Sequence, residues 1–137
     1  MDRLELEATD STPSISFDPQ AGKLSICGRS IPENAAHFYH PILDWLKEYS
    51  QQPNDETQFD LYLEYINSIS QKMVHEIFRI AGDLHAQDAK VNVVWHYDSD
   101  DEEMREEGQL IGTKFPFELN LKEVSEEERL TKTHLLS

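Results

Sequence analysis

Alternation of apolar and polar residues marks the strands of this chain. Leu4 and Leu6 are spaced by charged residues, which predicts a short edge strand or a flexible arm. Ile15 and Phe17 begin a clearer strand. After Asp18-Pro19-Gln20-Ala21-Gly22, whose Pro presets φ and whose Gly supplies positive φ, Leu24 and Ile26 alternate with Lys23, Ser25 and Cys27. The two segments read as a β-hairpin. Phe59, Leu61, Leu63 and Tyr65 form the cleanest period of two, with Tyr62 and Ile66 adding apolar character to the other face. Val91 to Tyr97 is apolar enough for a sheet centre, and Phe115 to Leu121 alternates again, Pro116 favouring a strand start or an edge.

Between these strands the period lengthens. Phe38, Ile42, Trp45, Leu46 and Tyr49 recur at helical spacing. Ser30-Ile31-Pro32-Glu33 ahead of them has the form of a capping box, and Pro41 inside the pattern predicts a kink or a restart. Met73, Val74, Ile77, Phe78, Ala81 and Leu84 predict a second helix, and a short one fits around Met104. Strand–helix alternation implies right-handed crossovers with some parallel pairing, hence an α/β fold. Residues 1–122 are expected to form one domain, and 123–137 a polar, flexible tail.

Charge narrows the function classes. The 137 residues carry 12 Lys+Arg against 27 Asp+Glu, a net charge of −15. That balance opposes binding to a nucleic-acid backbone or an anionic membrane, both of which need clustered cations. No apolar run approaches a membrane span, the first residues are not a signal peptide, and Cys27 has no partner for an internal disulfide. A cytoplasmic protein is the expectation. The acidity is uneven: 1–97 hold 7 bases and 15 acids, whereas 98–128 hold 3 bases and 12 acids.

Catalytic chemistry is sparse. His37 and His40 have the spacing H-x-x-H without the glutamate of a zinc protease, which suits surface histidines better than metal ligands. Asp98, Asp100, Asp101, Glu102 and Glu103 lack the glycine and distal glutamate of a calcium loop and read as a solvated acidic face. No nucleophile elbow, phosphate-cradling glycine loop or dinucleotide fingerprint occurs. The segment Asn67-Ser68-Ile69-Ser70 has a more specific logic, because it joins a strand end to a helix start. There, Ser68 or Asn67 can serve simply as an N-cap. Alternatively Ser68 is a phosphorylation site, its new charge tolerated by the helix start and by Lys72 one turn on. No acid lies between Glu64 and Glu76.

A resemblance favours the second reading. Thr12-Pro13-Ser14-Ile15-Ser16-Phe17-Asp18-Pro19, Gly28-Arg29-Ser30-Ile31-Pro32-Glu33-Asn34, Phe38-Tyr39-His40-Pro41-Ile42-Leu43-Asp44-Trp45-Leu46, Tyr65-Ile66-Asn67-Ser68 with Ser70-Gln71-Lys72, and Asp100-Asp101-Glu102-Glu103-Met104 together resemble the SiaC family of bacterial regulatory phosphoproteins. The resemblance implies a single domain similar to anti-sigma-factor antagonists (STAS-like), a mixed sheet with helices mainly on one face. It also implies a non-enzymatic partner switch without cofactor or metal. A Ser/Thr kinase phosphorylates the protein, a PP2C-type phosphatase reverses this, and the unmodified form binds a diguanylate cyclase. Binding promotes cyclic di-GMP synthesis, with aggregation or biofilm formation as output. By the same resemblance the acceptor is Ser68, where the family often has threonine, with Ser70 as second choice. Arg29, Asn67 and Lys72 are candidate partner contacts, and Asn67 is also a candidate for holding the acceptor loop. Arg29 has a plainer role open to it, pairing with Glu33. Two other classes are a scaffold STAS-like module in which Ser68 is only a cap, and a small metal enzyme using the histidines or the acidic run.

Overall fold

A computed structural model of the chain describes residues 1–129. Strands β1 (Leu4–Leu6), β2 (Ser14–Asp18) and β3 (Lys23–Ser30) form an antiparallel meander. Three crossovers follow: α1 (Ala35–Tyr49) to β4 (Glu56–Ile66), α2 (Ser68–Ala86) to β5 (Lys90–Asp98), and α3 (Glu102–Lys114) to β6 (Glu118–Val124). The sheet order is β1-β2-β3-β4-β5-β6, with β3 to β6 parallel. Each crossover steps to the next strand in the same direction, so right-handedness puts α1, α2 and α3 on one face. The mixed α/β architecture is the one the sequence predicts.

The core lies between that face and the helices. Ile15, Phe17, Leu24, Ile26, Phe59, Leu61, Leu63, Val91, Val93 and Trp95 point into it from the sheet, against Tyr39, Ile42, Leu46, Val74, Phe78, Ala81, Leu84 and Ile111 of the helices. Trp45 meets Phe17 and Tyr49, and Phe78 meets Phe59, Trp95, Phe115 and Phe117. Helix α3 is longer than its weak periodicity suggests. It is held by Trp95, whose Nε1 donates to the Met104 carbonyl at 3.0 Å, and by Gly108, which lets the helix settle onto the indole.

Several local expectations are corrected. Helix α1 starts at Ala35 with Asn34 as its cap, Asn34 Oδ1 accepting from His37 N at 3.0 Å. Ser30 is instead the last residue of β3, so the Ser30–Glu33 capping box does not form. Pro41 neither ends nor restarts the helix. Both Pro41 and His37 face solvent, so water can satisfy the carbonyl that proline leaves without its amide. Phe115 caps α3 rather than opening a strand, and β6 begins at Glu118. Strand β6 runs on to the buried Val124, so Glu123 and Val124 belong to the sheet, and α4 (Glu126–Arg129) adds one turn. The rest of the expected tail, 130–137, lies outside the described residues.

Among the described residues the three crossover helices all lie on the core face, and the other sheet face carries polar ladders. Gln58 Nε2 donates to Asp60 Oδ2 at 2.8 Å, and His96 Nε2 stands 3.5 Å from Asp60 Oδ1. Burial works to raise the Asp60 carboxyl, but the His96 ring, the Gln58 amide and the Lys122 charge outweigh it and hold the carboxyl below its ordinary range. A depressed folded value means that Asp60 stabilises fully above the unfolded-state pKa and loses that contribution as pH falls through the folded one. Asp60→Asn should therefore lower stability at neutral pH and flatten the acid limb of the stability curve, read as denaturant midpoints from neutrality down to about pH 3. At Gly108 a Cβ would lie 2.5 Å from Trp95 Cδ1 and 2.6 Å from Leu121 Cδ2. Gly108→Ala should cost about 1–3 kcal/mol despite its better helix propensity, seen as a lowered melting temperature in calorimetry.

Candidate functional site

The carboxyl ends of parallel strands, where crossovers begin, are the usual place for function in open α/β sheets. Here the ends of β3 and β4 slip out of even register. Leu63 pairs with Gly28 and Tyr65 with Arg29, so Glu64 is an extra residue on β4. Gly28 has φ of 129° there, with Pro13 Cα 3.3 Å from where a Cβ would stand. The bulge reverses the facing of the residues beyond it. Alternation predicts Tyr65 on the core face with Phe59, Leu61 and Leu63; instead it is 57% exposed. The Arg29 guanidinium lies 6.0 Å from the centre of its ring, within cation–π range.

Beyond Tyr65 the chain turns into α2, and Asn67 governs the turn. Its amide donates to the Ser30 carbonyl at 3.2 Å, its carbonyl accepts from Gln71 N at 2.9 Å, and its Oδ1 accepts from Ser70 N at 2.9 Å. Asn67 is thus the N-cap, and Ser68 is the first helical residue, with its side chain exposed. Ile69 beside it is 54% exposed. Ser70, the second-choice acceptor, is fully buried: Ser30 Oγ donates to Ser70 Oγ at 2.9 Å and lies 2.5 Å from Tyr39 OH. Burial pushes the Tyr39 phenol up, against smaller lowering by the Ser30 and Ser70 hydroxyls. Ser30 gives its single proton to Ser70, so it accepts from Tyr39. Ser68 is thus open to solvent and Ser70 is not.

Arg29 and Lys72 reach the same end of the molecule by different routes. Arg29 is exposed beside Tyr65, while Lys72 is exposed on α2 one turn after Ser68, over a hollow shared with Gln71, His75, Glu76 and Lys114. Among the described residues neither forms an ion pair, so the alternative role open to Arg29, pairing with a local acid such as Glu33, is not the one seen. The other arginines with described side chains are paired with acids: Arg3 with Glu5, Arg79 with Glu76 and Asp83, and Arg105 with Glu102.

The acidic segment comes closer to Ser68 than its distance along the chain suggests. A cleft of about 250 Å³ is lined by Glu64, Tyr65, Ile66 and Gln71 on one side and by Asp101, Glu103, Met104 and Glu107 of the α3 start on the other. Gln71 Nε2 donates to Glu107 Oε2 at 2.6 Å, and His75 Nε2 to Glu107 Oε1 at 2.8 Å. Lys114 Nζ donates to His75 Nδ1 at 3.0 Å; an ammonium has no lone pair, so His75 is the neutral tautomer protonated on Nε2. The rest of the acidic run is occupied structurally, Asp98 accepting from Tyr62 OH and Asp101 capping α3 through Met104 N. His37 and His40 lie exposed on α1, His40 beside Asp44 at 3.3 Å. Among the described residues no group of three or more His, Cys, Asp or Glu side chains is placed to hold a metal, and no helix is long and apolar enough to cross a membrane. Sequence reasoning missed Tyr65, Ile69 and Glu107 at this rim. The bulge and the α2–α3 packing that bring them there leave no local signature.

Comparison with known proteins agrees with this architecture. The family model described as SiaC family regulatory phosphoprotein matches residues 6–124. An uncharacterised protein of Pseudomonas aeruginosa (strain UCBPP-PA14) is 34% identical over 106 residues, covering 77% of this chain and 84% of its own length. Among solved structures, SiaC in the crystal structure of the diguanylate cyclase SiaD with its activator SiaC, from Pseudomonas aeruginosa, superposes with a TM-score of 0.83 at 30% identity, over 88% of this chain and 98% of that one. Apo-SiaC from the same organism gives 0.82 at 30% identity, over 89% and 99%. The family match spans residues 6–124, Asn67 and Ser68 included, and the solved SiaC structures share the fold: the chain belongs to the SiaC family of regulatory phosphoproteins.

Proposed function

We propose that this protein is a non-enzymatic partner switch. Its unmodified form binds and stimulates a diguanylate cyclase in the cytoplasm, raising cyclic di-GMP and with it aggregation and biofilm formation. A Ser/Thr kinase turns the switch off by phosphorylating Ser68, and a PP2C-type phosphatase restores it. The observation that carries the reading is the contrast at the start of α2: Ser68 is exposed between exposed Tyr65 and Ile69, whereas Ser70 is buried. A similar protein that is 30% identical is seen bound to a cyclase as its activator.

The physical basis is desolvation. A neutral serine can be covered by a partner at little cost, next to two large apolar side chains suited to an interface centre. A phosphoryl group brings about −1.5 to −2 charges, which the helix start offsets by only about 0.3–2 kcal/mol. It does so beside a cleft lined by Glu64, Asp101, Glu103 and Glu107, so the local field opposes it further. If a partner offers no compensating cation, a penalty of about 3 kcal/mol weakens binding on the order of a hundredfold.

Treatment with the kinase followed by intact mass and peptide mapping should find one phosphate, on Ser68; modification confined to another residue would sink the assignment. Ser68→Asp should bind the cyclase more weakly than the parent chain in calorimetric titration, and Ser68→Ala as tightly. Equal affinity of phosphorylated and unmodified protein would favour a scaffold module in which Ser68 serves only the helix start. Arg29→Ala and Tyr65→Ala should each reduce cyclase affinity by about tenfold with melting temperature unchanged, as expected for exposed interface anchors.

A further inference from the structure

Three hydroxyls sit in an otherwise apolar place. Ser30, Tyr39 and Ser70 are all fully buried, and they come from the end of β3, the middle of α1 and the first turn of α2. They form one chain in which Tyr39 donates to Ser30 and Ser30 to Ser70. The Asn67 side chain ties the amide of the same Ser70, and the Asn67 amide ties the Ser30 carbonyl, so backbone and side chains close a loop around the residue that follows Asn67. Apolar residues of similar volume would fill this space without needing partners. Hydroxyls there instead fix one geometry, because any movement of the α2 start leaves buried polar groups unpaired.

We propose that Tyr39, Ser30 and Ser70 are positioning residues for the chemistry at Ser68: they hold it as the first residue of a formed helix, so that kinase and phosphatase recognise the folded rim and not an extended peptide. This rests on Ser68 being the acceptor. Extending the segment for a peptide-binding kinase groove would require the Ser70 amide to leave Asn67 and the Ser70 hydroxyl to leave Ser30. The clamp thereby restricts Ser68 to enzymes shaped for a helix start, which supplies specificity that the neutral sequence around it does not.

The test compares the intact chain, a synthetic peptide of residues 60–80, the single variants Ser70→Ala and Tyr39→Phe, and the triple variant Ser30→Ala/Tyr39→Phe/Ser70→Ala, using the kinase that modifies the parent chain. The peptide and the single variants should show KM raised by about tenfold or more with kcat retained, since only a fraction of each population holds the helix start. The triple variant removes every polar atom of the chain at once, so its melting temperature should return towards the parent value while its KM stays high. A loss of stability alone would not produce that split. Equal or faster modification of the peptide, or a parental KM in the triple variant, overturns the proposal. Hydrogen exchange reads the clamp without any kinase: the Ser70 and Gln71 amides should exchange faster in Ser70→Ala and Tyr39→Phe. Unchanged exchange refutes the clamp itself, whereas an unmodified Ser68 in the parent chain with faster exchange in the variants refutes only the acceptor assignment.

Discussion

The parallel pairing of β3 with β4 is the contact on which the other features depend. It joins the antiparallel N-terminal meander to the parallel half of the sheet, running without interruption from Lys23 opposite Gln58 to Gly28 opposite Leu63. Where it slips by one residue, the molecule changes character. Before the slip, β4 alternates core residues with polar ones; after it, Tyr65 faces outward beside Arg29, and the end of β3 turns Ser30 inward towards Tyr39 and Ser70. One extra residue on β4 thus turns the aromatic outward, while unbroken alternation along β3 keeps the Ser30 hydroxyl inward. Gly28, with a backbone angle that side chains rarely adopt, makes the slip possible.

Much of the framework was legible from periodicity because its strands bury mainly the face towards the helices. The β2–β3 hairpin, the alternating run into β4, the apolar β5 and the long stripe of α2 follow from residues that must face the helices. What failed to read locally was decided by distant contacts. Ser30 and Asn34 are both chemically sound caps for α1, and Asn34 takes the role because β3 continues through Ser30 to pair with Ile66. Helix α3 has a poor apolar stripe, but Trp95 and Gly108 hold it down. Of the candidate site, the place of Ser68 at an exposed helix start was legible from the strand-to-helix junction. Tyr65 was assigned the wrong face because a bulge is invisible to a period of two.

Charge shows the same division between local and tertiary information. Along the chain, Ser68 lies in a stretch without acids, and the strongly acidic segment follows far downstream. In the fold, the start of α3 returns to the end of β4, so Asp101, Glu103 and Glu107 share a cleft with Tyr65 and Gln71. The neighbourhood of Ser68 is therefore anionic on one side and holds Arg29 and Lys72, without ion pairs among the described residues, elsewhere on the rim. A partner that approaches it meets a polarised surface, apolar at Tyr65 and Ile69, whose sign differs from one flank to the other.

The strand order has a further consequence, for assembly of the molecule. Every strand pairs with its predecessor in sequence, so no strand must insert between two already joined, and each crossover closes only a modest loop. Emerging from the ribosome, such a sheet can grow by one edge at a time. The residues that close around Ser68, from Ser30 to Gln71, are complete once α2 has docked, whereas three of the four acids of the cleft, Asp101, Glu103 and Glu107, arrive only with α3. The geometry around Ser68 and most of the charge beside it are thus written in successive stretches of the chain, so substitutions at the solvent-facing acids of 98–114 can retune the second separately from the first.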